Sequence, residues 1–350
     1  MLQRFALCSI ASLSLLAACS SDSNTPGTTT PPDDGSISGD IRQSVTWEDG
    51  TRLSGTIRIV EGVSVEIAPG AKITCNEATQ IVLGGTLKVK AQAGAHSSIA
   101  CDKWTGITVG QNGVLDIDGL DLANPGVGFE TTRGAGSCIV KNSSITSAPR
   151  PFKVGAGSKL VLDHVVASTP DKLGPFDSSV AEIFGTLEAS YLEYEANTNE
   201  GLMLKGEEAS ATVTDSILKG KNGQDLISAY YTGQNPEQGR PRLMKVSYTT
   251  FSGAHCGPHL QGVVNAEFDH ITSRDSILYG ITIFDANTVL IKDSNIGGSV
   301  AWLDLKGPNP AQVTIENVFV TPDAKTQIVD TGPPVKDVRA TAEIAGAGPR

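Results

Sequence analysis

The chain has 350 residues, 39% of them hydrophobic and 5% aromatic, and carries a formal net charge of −11. That acidic balance argues against a nucleic-acid partner and against an anionic lipid surface, since both need clustered Lys and Arg. Six Cys and five His limit where thiol or metal chemistry could sit.

Residues 1–18 read as a signal peptide. Arg4 supplies a positive start, Leu7 to Leu16 a short apolar run, and the segment closes on Leu16-Ala17-Ala18-Cys19. The run is too short to span a bilayer, and small residues before Cys19 suit a peptidase. The motif resembles the lipobox of bacterial lipoproteins. The resemblance implies lipidation of Cys19, cleavage before it, and anchoring in a membrane through several acyl chains. Residue 20 is Ser rather than Asp, which by resemblance to lipoprotein sorting favours the outer membrane. Losing residues 1–18 removes one Arg and no acid, taking the net charge from −11 to −12. Residues 19–39 hold almost no apolar side chain, so burial cannot offset their ordering entropy; they read as a flexible tether.

The body, residues 40–335, is dominated by alternating strands such as Val63-Ser-Val-Glu-Ile67, Thr86-Leu-Lys-Val-Lys90 and Val114-Leu-Asp-Ile-Asp118. No second apolar run is long enough to cross a membrane. A repeat emerges: alternation, one polar or small residue, then an apolar residue three positions on. The predicted bend residues are Gly119, Asn142, Asp163, Ala189, Asp215, Tyr248, Phe268, Asp293 and Asn317. The apolar residues following them run from Leu122 and Ile145 through Val166 to Val320. Asn and Asp tolerate unusual backbone angles, so they fit corners at which one strand ends and the next begins. A period of this size without helices predicts coils of three short strands stacked along an axis.

The pattern resembles the right-handed parallel β-helix of pectate lyase-like proteins, with roughly 10–11 coils. The opening segments Trp47, Val63–Ile73, Gly84-Gly-Thr-Leu87 and Trp104-Thr-Gly-Ile107 are similar to the first coils of bacterial surface β-helix lipoproteins. An antiparallel β-sandwich is the chief alternative, disfavoured by the regular spacing and the scarcity of hairpin dipeptides. Residues 336–350 form a Gly- and Ala-rich tail.

In such a solenoid Cys75 and Cys101, 26 residues apart in matching local sequence, lie on adjacent coils and are expected to form a disulfide. Cys138 reads as a small buried hydrophobe, and Cys256 as a free thiol or a ligand. His255-Cys256-Gly257-Pro258-His259 is the one cluster with metal-ligand chemistry, suited to zinc or copper, with Asp269 and His270 within reach of the next coil. The longest repeat insertion, 221–243, carries Tyr230, Tyr231, Arg240 and Arg242, which are candidates for a binding loop. For acid–base chemistry the candidates are Arg274-Asp275, Asp285 and Asp304. Fold does not decide function. The expectation is a membrane-anchored, non-catalytic module that binds a polysaccharide or an envelope protein. The alternatives are a carbohydrate-active enzyme, which would need carboxylates converging on one sheet face, and a metal-dependent activity at His255–His259.

Overall fold

The computed structural model describes residues 35–350 apart from 93, 171–178, 197–199, 222–224, 232–238, 306–311, 323, 325–327 and 331–335. The signal peptide, Cys19 and most of the tether lie outside the described residues. No helix among the described residues is long and apolar enough to cross a membrane.

Every described strand belongs to one parallel ladder system, a β-solenoid of about 11 turns. It opens with Ile37–Ile41, which pairs with Arg52–Ile59. Each turn then contributes a strand to each of three stacks. In the first stack Ile67, Val89, Ile117, Val140, Leu162, Ala189, Val213, Val246, Phe268, Ile291 and Ile315 follow one another rung by rung. All of them are buried. Rungs about 4.8 Å apart leave no room for water between such side chains. Each fully buried Leu or Ile contributes on the order of 1.5–3 kcal/mol, so the alternation alone commits these residues to the interior.

The first stack ends at a corner where the backbone takes a left-handed conformation. The corner residues are Gly119, Asn142, His164, Tyr191, Asp215, Tyr248, His270, Asp293 and Asn317, with φ between 45° and 79°. Side chains strain this conformation by about 1–2 kcal/mol, and several local bonds offset the strain. The residue after the corner points inward, and where it is Ser it ties two turns together. The hydroxyls of Ser143, Ser216 and Ser294 donate to the carbonyls of Lys141, Thr214 and Lys292. The same oxygens accept the N–H of Leu120, Leu192 and Ile271 from the preceding turn.

Three corners fall later than expected from sequence. His164, Tyr191 and His270 occupy them, rather than Asp163, Ala189 and Phe268. The reason is register: Leu162, Ala189 and Phe268 are inward rungs of the first stack, and the corner falls two residues after each. At these corners His164 stacks on Tyr191 with ring centroids 4.2 Å apart, and Tyr248 on His270 at 4.8 Å. Shifting the corner by one residue inverts the following strand. Val165 therefore faces the core and Val166, expected inside, is 50% exposed.

Cys75 and Cys101 are directly paired across adjacent turns, with Cα atoms 5.1 Å apart, and form a disulfide. Cys138 sits in register with Leu115, buried, and burial pushes its thiol up to about 11. Lys336–Arg339 adds a last strand against Gln312–Val320. Beyond it the chain turns back along the corner edge. Asn295 exchanges two hydrogen bonds with the backbone of Ile344, and Gly348 N–H donates to His270 O. Arg350 closes this strap with a two-pronged ion pair to Asp215, its guanidinium 3.9 Å from the Tyr248 ring centroid.

Candidate active site

The third stack carries a cluster of titratable side chains. Its strands Arg150–Val154, Ser179–Ile183, Glu200–Leu204, Asp225–Tyr230, Cys256–Gln261, Tyr279–Asp285 and Ala301–Leu305 pair in order. Ile183, Leu204, Ala229, Leu260, Ile283 and Leu305 form one inward row. Period-2 alternation sends the residue before each of them to the other face. That outward row reads Glu182, Met203, Ser228, His259, Thr282, Asp304. Three residues upstream, Asp225 pairs with Cys256; counting back from the Leu202–Ile227 pair, Glu200 stands one rung before Asp225.

These side chains interact directly. Nδ1 of His259 lies 2.6 Å from Oδ2 of Asp225. Ser228 donates to Oε2 of Glu200 at 3.1 Å, and Thr282 donates to the Cys256 sulfur at 3.6 Å. Tyr194, wholly buried beneath, donates to the Leu226 carbonyl. Asp304, two rungs past His259, is also buried.

Proton affinities follow from this crowding. Burial first, and the charge of Asp225 second, push Glu200 up to about 7. Burial disfavours a charged His259, yet the hydrogen bond and charge of Asp225, with Glu200 and Asp304 behind it, outweigh burial and hold the imidazole above its ordinary value. Near neutral pH Glu200 therefore keeps its proton in a substantial fraction of molecules, and His259 takes one up more readily than an ordinary imidazole. Groups held away from their ordinary protonation states by burial and specific partners are a mark of functional sites.

The residues predicted from sequence divide between several places. His259 is central to the site. Cys256 faces Asp225 and Thr282, and burial together with the Asp225 charge pushes its thiol up to about 12, so it keeps its proton. His255 is exposed, and its carbonyl caps the next turn by accepting from Leu278 and Tyr279 N–H. The three do not converge as a ligand set. Among the described residues the trio with ligand atoms within 4.8 Å of one another is Asp269, His270 and Asp293, on the corner edge. There Lys292 holds Asp269 at 3.1 Å and Asn317 donates to Asp293 at 2.7 Å, so neighbouring donors already engage both acids.

Of the acids singled out from sequence, Asp304 lies in the site. Asp285 lies at its border, bound by Arg240 at 2.7 Å, while Arg274 and Asp275 are an exposed pair elsewhere. Arg240 also donates to Asn287 and lies over the Tyr231 ring. Tyr230 is 43% exposed, one rung from Gln261. Arg242 is exposed, its backbone N–H donating to Ala209 O. Glu200 and Asp225 escaped the sequence reading; aligning the third strands as Glu200-Gly-Leu, Asp225-Leu-Ile, Cys256-Gly-Pro and Tyr279-Gly-Ile would have put them in one column.

Away from this cluster, a concavity runs along the strands that follow the corner. One part of it, about 590 Å³, is lined by Trp104, Asn124, Pro125, Ser147 and Pro170 among others, and it continues past Val166 to Lys221.

Comparison with protein-family models, curated proteins and solved structures gives no match to this chain.

Proposed function

We propose that the chain is a carbohydrate-active protein that takes a neutral glycan onto the third stack and hydrolyses it by acid–base chemistry. The single observation that carries this reading is the cluster that Glu200, Asp225 and His259 form in the third stack, with His259 on Asp225, Ser228 on Glu200, and Asp304 two rungs past His259. In this reading Glu200 donates its proton to the leaving oxygen as the glycosidic C–O bond breaks. Water adds to the sugar carbon, and the proton it sheds passes to the Asp225 carboxylate, held in place by His259. Hydrolysis of glycosides by paired carboxyl groups works in this way, one kept protonated and the other ionised.

Charge supports a neutral substrate. Among the described residues, cations near this face are engaged by acids: Lys153 with Glu130, Arg150 and Lys205 with Glu182, and Arg240 with Asp285.

We place the body outside the cell, held to the outer membrane through lipidated Cys19. The leader motif and the Cys75–Cys101 disulfide support this compartment. A non-catalytic glycan-binding or scaffold role is the second reading, favoured by the elongated concavity around Trp104. Reducing-end release from neutral polysaccharides separates the two. Release by the parent and its loss in Glu200→Gln supports catalysis; binding without release supports the second reading.

A further inference from the structure

The border of the acid–base site presents two aromatic rings to solvent, and one of them is placed there by a defect in the ladder. Leu260 pairs with Ile283, but the next residue, Gln261, pairs with Asp285. Phe284 is the extra residue of a β-bulge, and it is 38% exposed. Without the bulge, strict pairing would leave no unmatched residue in this strand. Bulges re-aim side chains and recur beside active sites.

The bulge is pinned. Arg240 binds Asp285 Oδ2 at 2.7 Å and Asn287 Oδ1 at 2.8 Å, and Gly262 N–H donates to the Asp285 carbonyl. The other carboxylate oxygen of Asp285, Oδ1, is buried and receives no hydrogen bond from the described residues. Tyr230 stands one rung before Gln261, and so two rungs before Asp285. Among the described residues the exposed aromatic side chains are Tyr191, Tyr230 and Phe284, and Tyr191 already stacks on His164. Tyr230 and Phe284 each lie two residues beyond a member of the outward row, Ser228 and Thr282, on the strands flanking that of His259.

We propose that Tyr230 and Phe284 form a sugar-stacking subsite that holds a neutral oligosaccharide along the solenoid axis, beside Gln261 and next to His259. Aromatic faces bind the apolar C–H faces of sugar rings, while amide and hydroxyl groups take the ring hydroxyls. Gln261, half-buried between the two rings along the ladder, supplies such a group on this face. This subsite rests on the reading of the neighbouring site as glycan-directed, and binding can be measured separately from turnover.

The test uses the full-length chain carrying Glu200→Gln, so that bound sugar is not consumed. Affinity is measured by calorimetry for hexasaccharides of β-1,4-glucose, α-1,4-glucose and β-1,4-mannose, with oligogalacturonate as the anionic control. The expected result is binding of at least one neutral hexasaccharide, weakened about tenfold or more by Tyr230→Ala and by Phe284→Ala and kept by Phe284→Tyr. Unchanged melting temperatures serve as the folding control, because both rings are surface groups. No binding of any neutral probe, preference for oligogalacturonate, or binding indifferent to both substitutions overturns the subsite. Turnover by the parent with indifferent Ala variants leaves the catalytic reading standing without it. Ring-dependent binding with no turnover by the parent keeps the subsite and removes catalysis.

Discussion

Replacing Glu200 by Gln should make the protein more stable at pH 8 and leave it unchanged at pH 4. Glu200 has an ordinary value of 4.5 that is raised to about 7 in the fold. Below 4.5 the carboxyl is protonated in both folded and unfolded chains and contributes no difference. Between 4.5 and about 7 the unfolded chain releases the proton while the folded one retains it, so stability falls as pH rises. At about 1.4 kcal/mol per pH unit across that interval, carrying the ionised group costs about 3 kcal/mol once the pH exceeds 7. Gln is nearly isosteric, still accepts from Ser228, and carries no charge to bury. In a domain of this size the gain corresponds to a rise of several degrees in melting temperature. Thermal unfolding followed by circular dichroism at pH 4, 6 and 8 reads it directly. A variant no more stable than its parent at pH 8, or one whose advantage is the same at all three values, would refute the reasoning. A substitution that stabilises the fold and abolishes activity is what a functional acid should show, because such groups are kept at a cost to stability.

Asp225→Asn should lower the pKa of His259, since Asp225 supplies the hydrogen bond and nearest charge that raise it; imidazole NMR titration, assigned with His259→Gln, checks the direction. Double replacement of Cys75 and Cys101 by Ala opens a 26-residue loop and should cost about 3.5 kcal/mol in denaturant unfolding. Phe152→Ala, at a fully buried core position, should cost about 3–5 kcal/mol in the same assay. Arg350→Ala should release the C-terminal strap, seen as faster amide exchange over residues 344–350. Arg350 holds Asp215 below the usual carboxylate range, so the clamp should hold above the ordinary Asp value and let go as pH falls through the lowered one.

The solenoid was legible because its signal is repeated. Apolar alternation fixes which residues face inward, and one polar residue per turn marks the corner. The Cys75–Cys101 pair followed from the same period. The corner positions at His164, Tyr191 and His270 were harder, since alternation counted from either side of a corner reads almost equally well. The cross-turn register of Leu162, Ala189 and Phe268, which one turn's own spacing does not show, decided them. The acid–base site was legible only in part. His259 and Asp304 drew attention by type and rarity, whereas Glu200 and Asp225 sit at the starts of third strands that follow connections of unequal length. Alignment on the corners alone loses that column. The bulge at Phe284 leaves no mark in the local pattern, because Ile283-Phe284 reads as an ordinary apolar pair.

The most direct test of the acid–base site is a carboxyl carbon NMR titration of Glu200 in protein labelled at Glu, with Glu200→Gln to assign the signal. A midpoint near 7, moving down in Asp225→Asn, is the predicted result. A midpoint near 4.5 in the parent would contradict the account, because Glu200 would then be ionised near neutral pH and have no proton to deliver to a leaving oxygen.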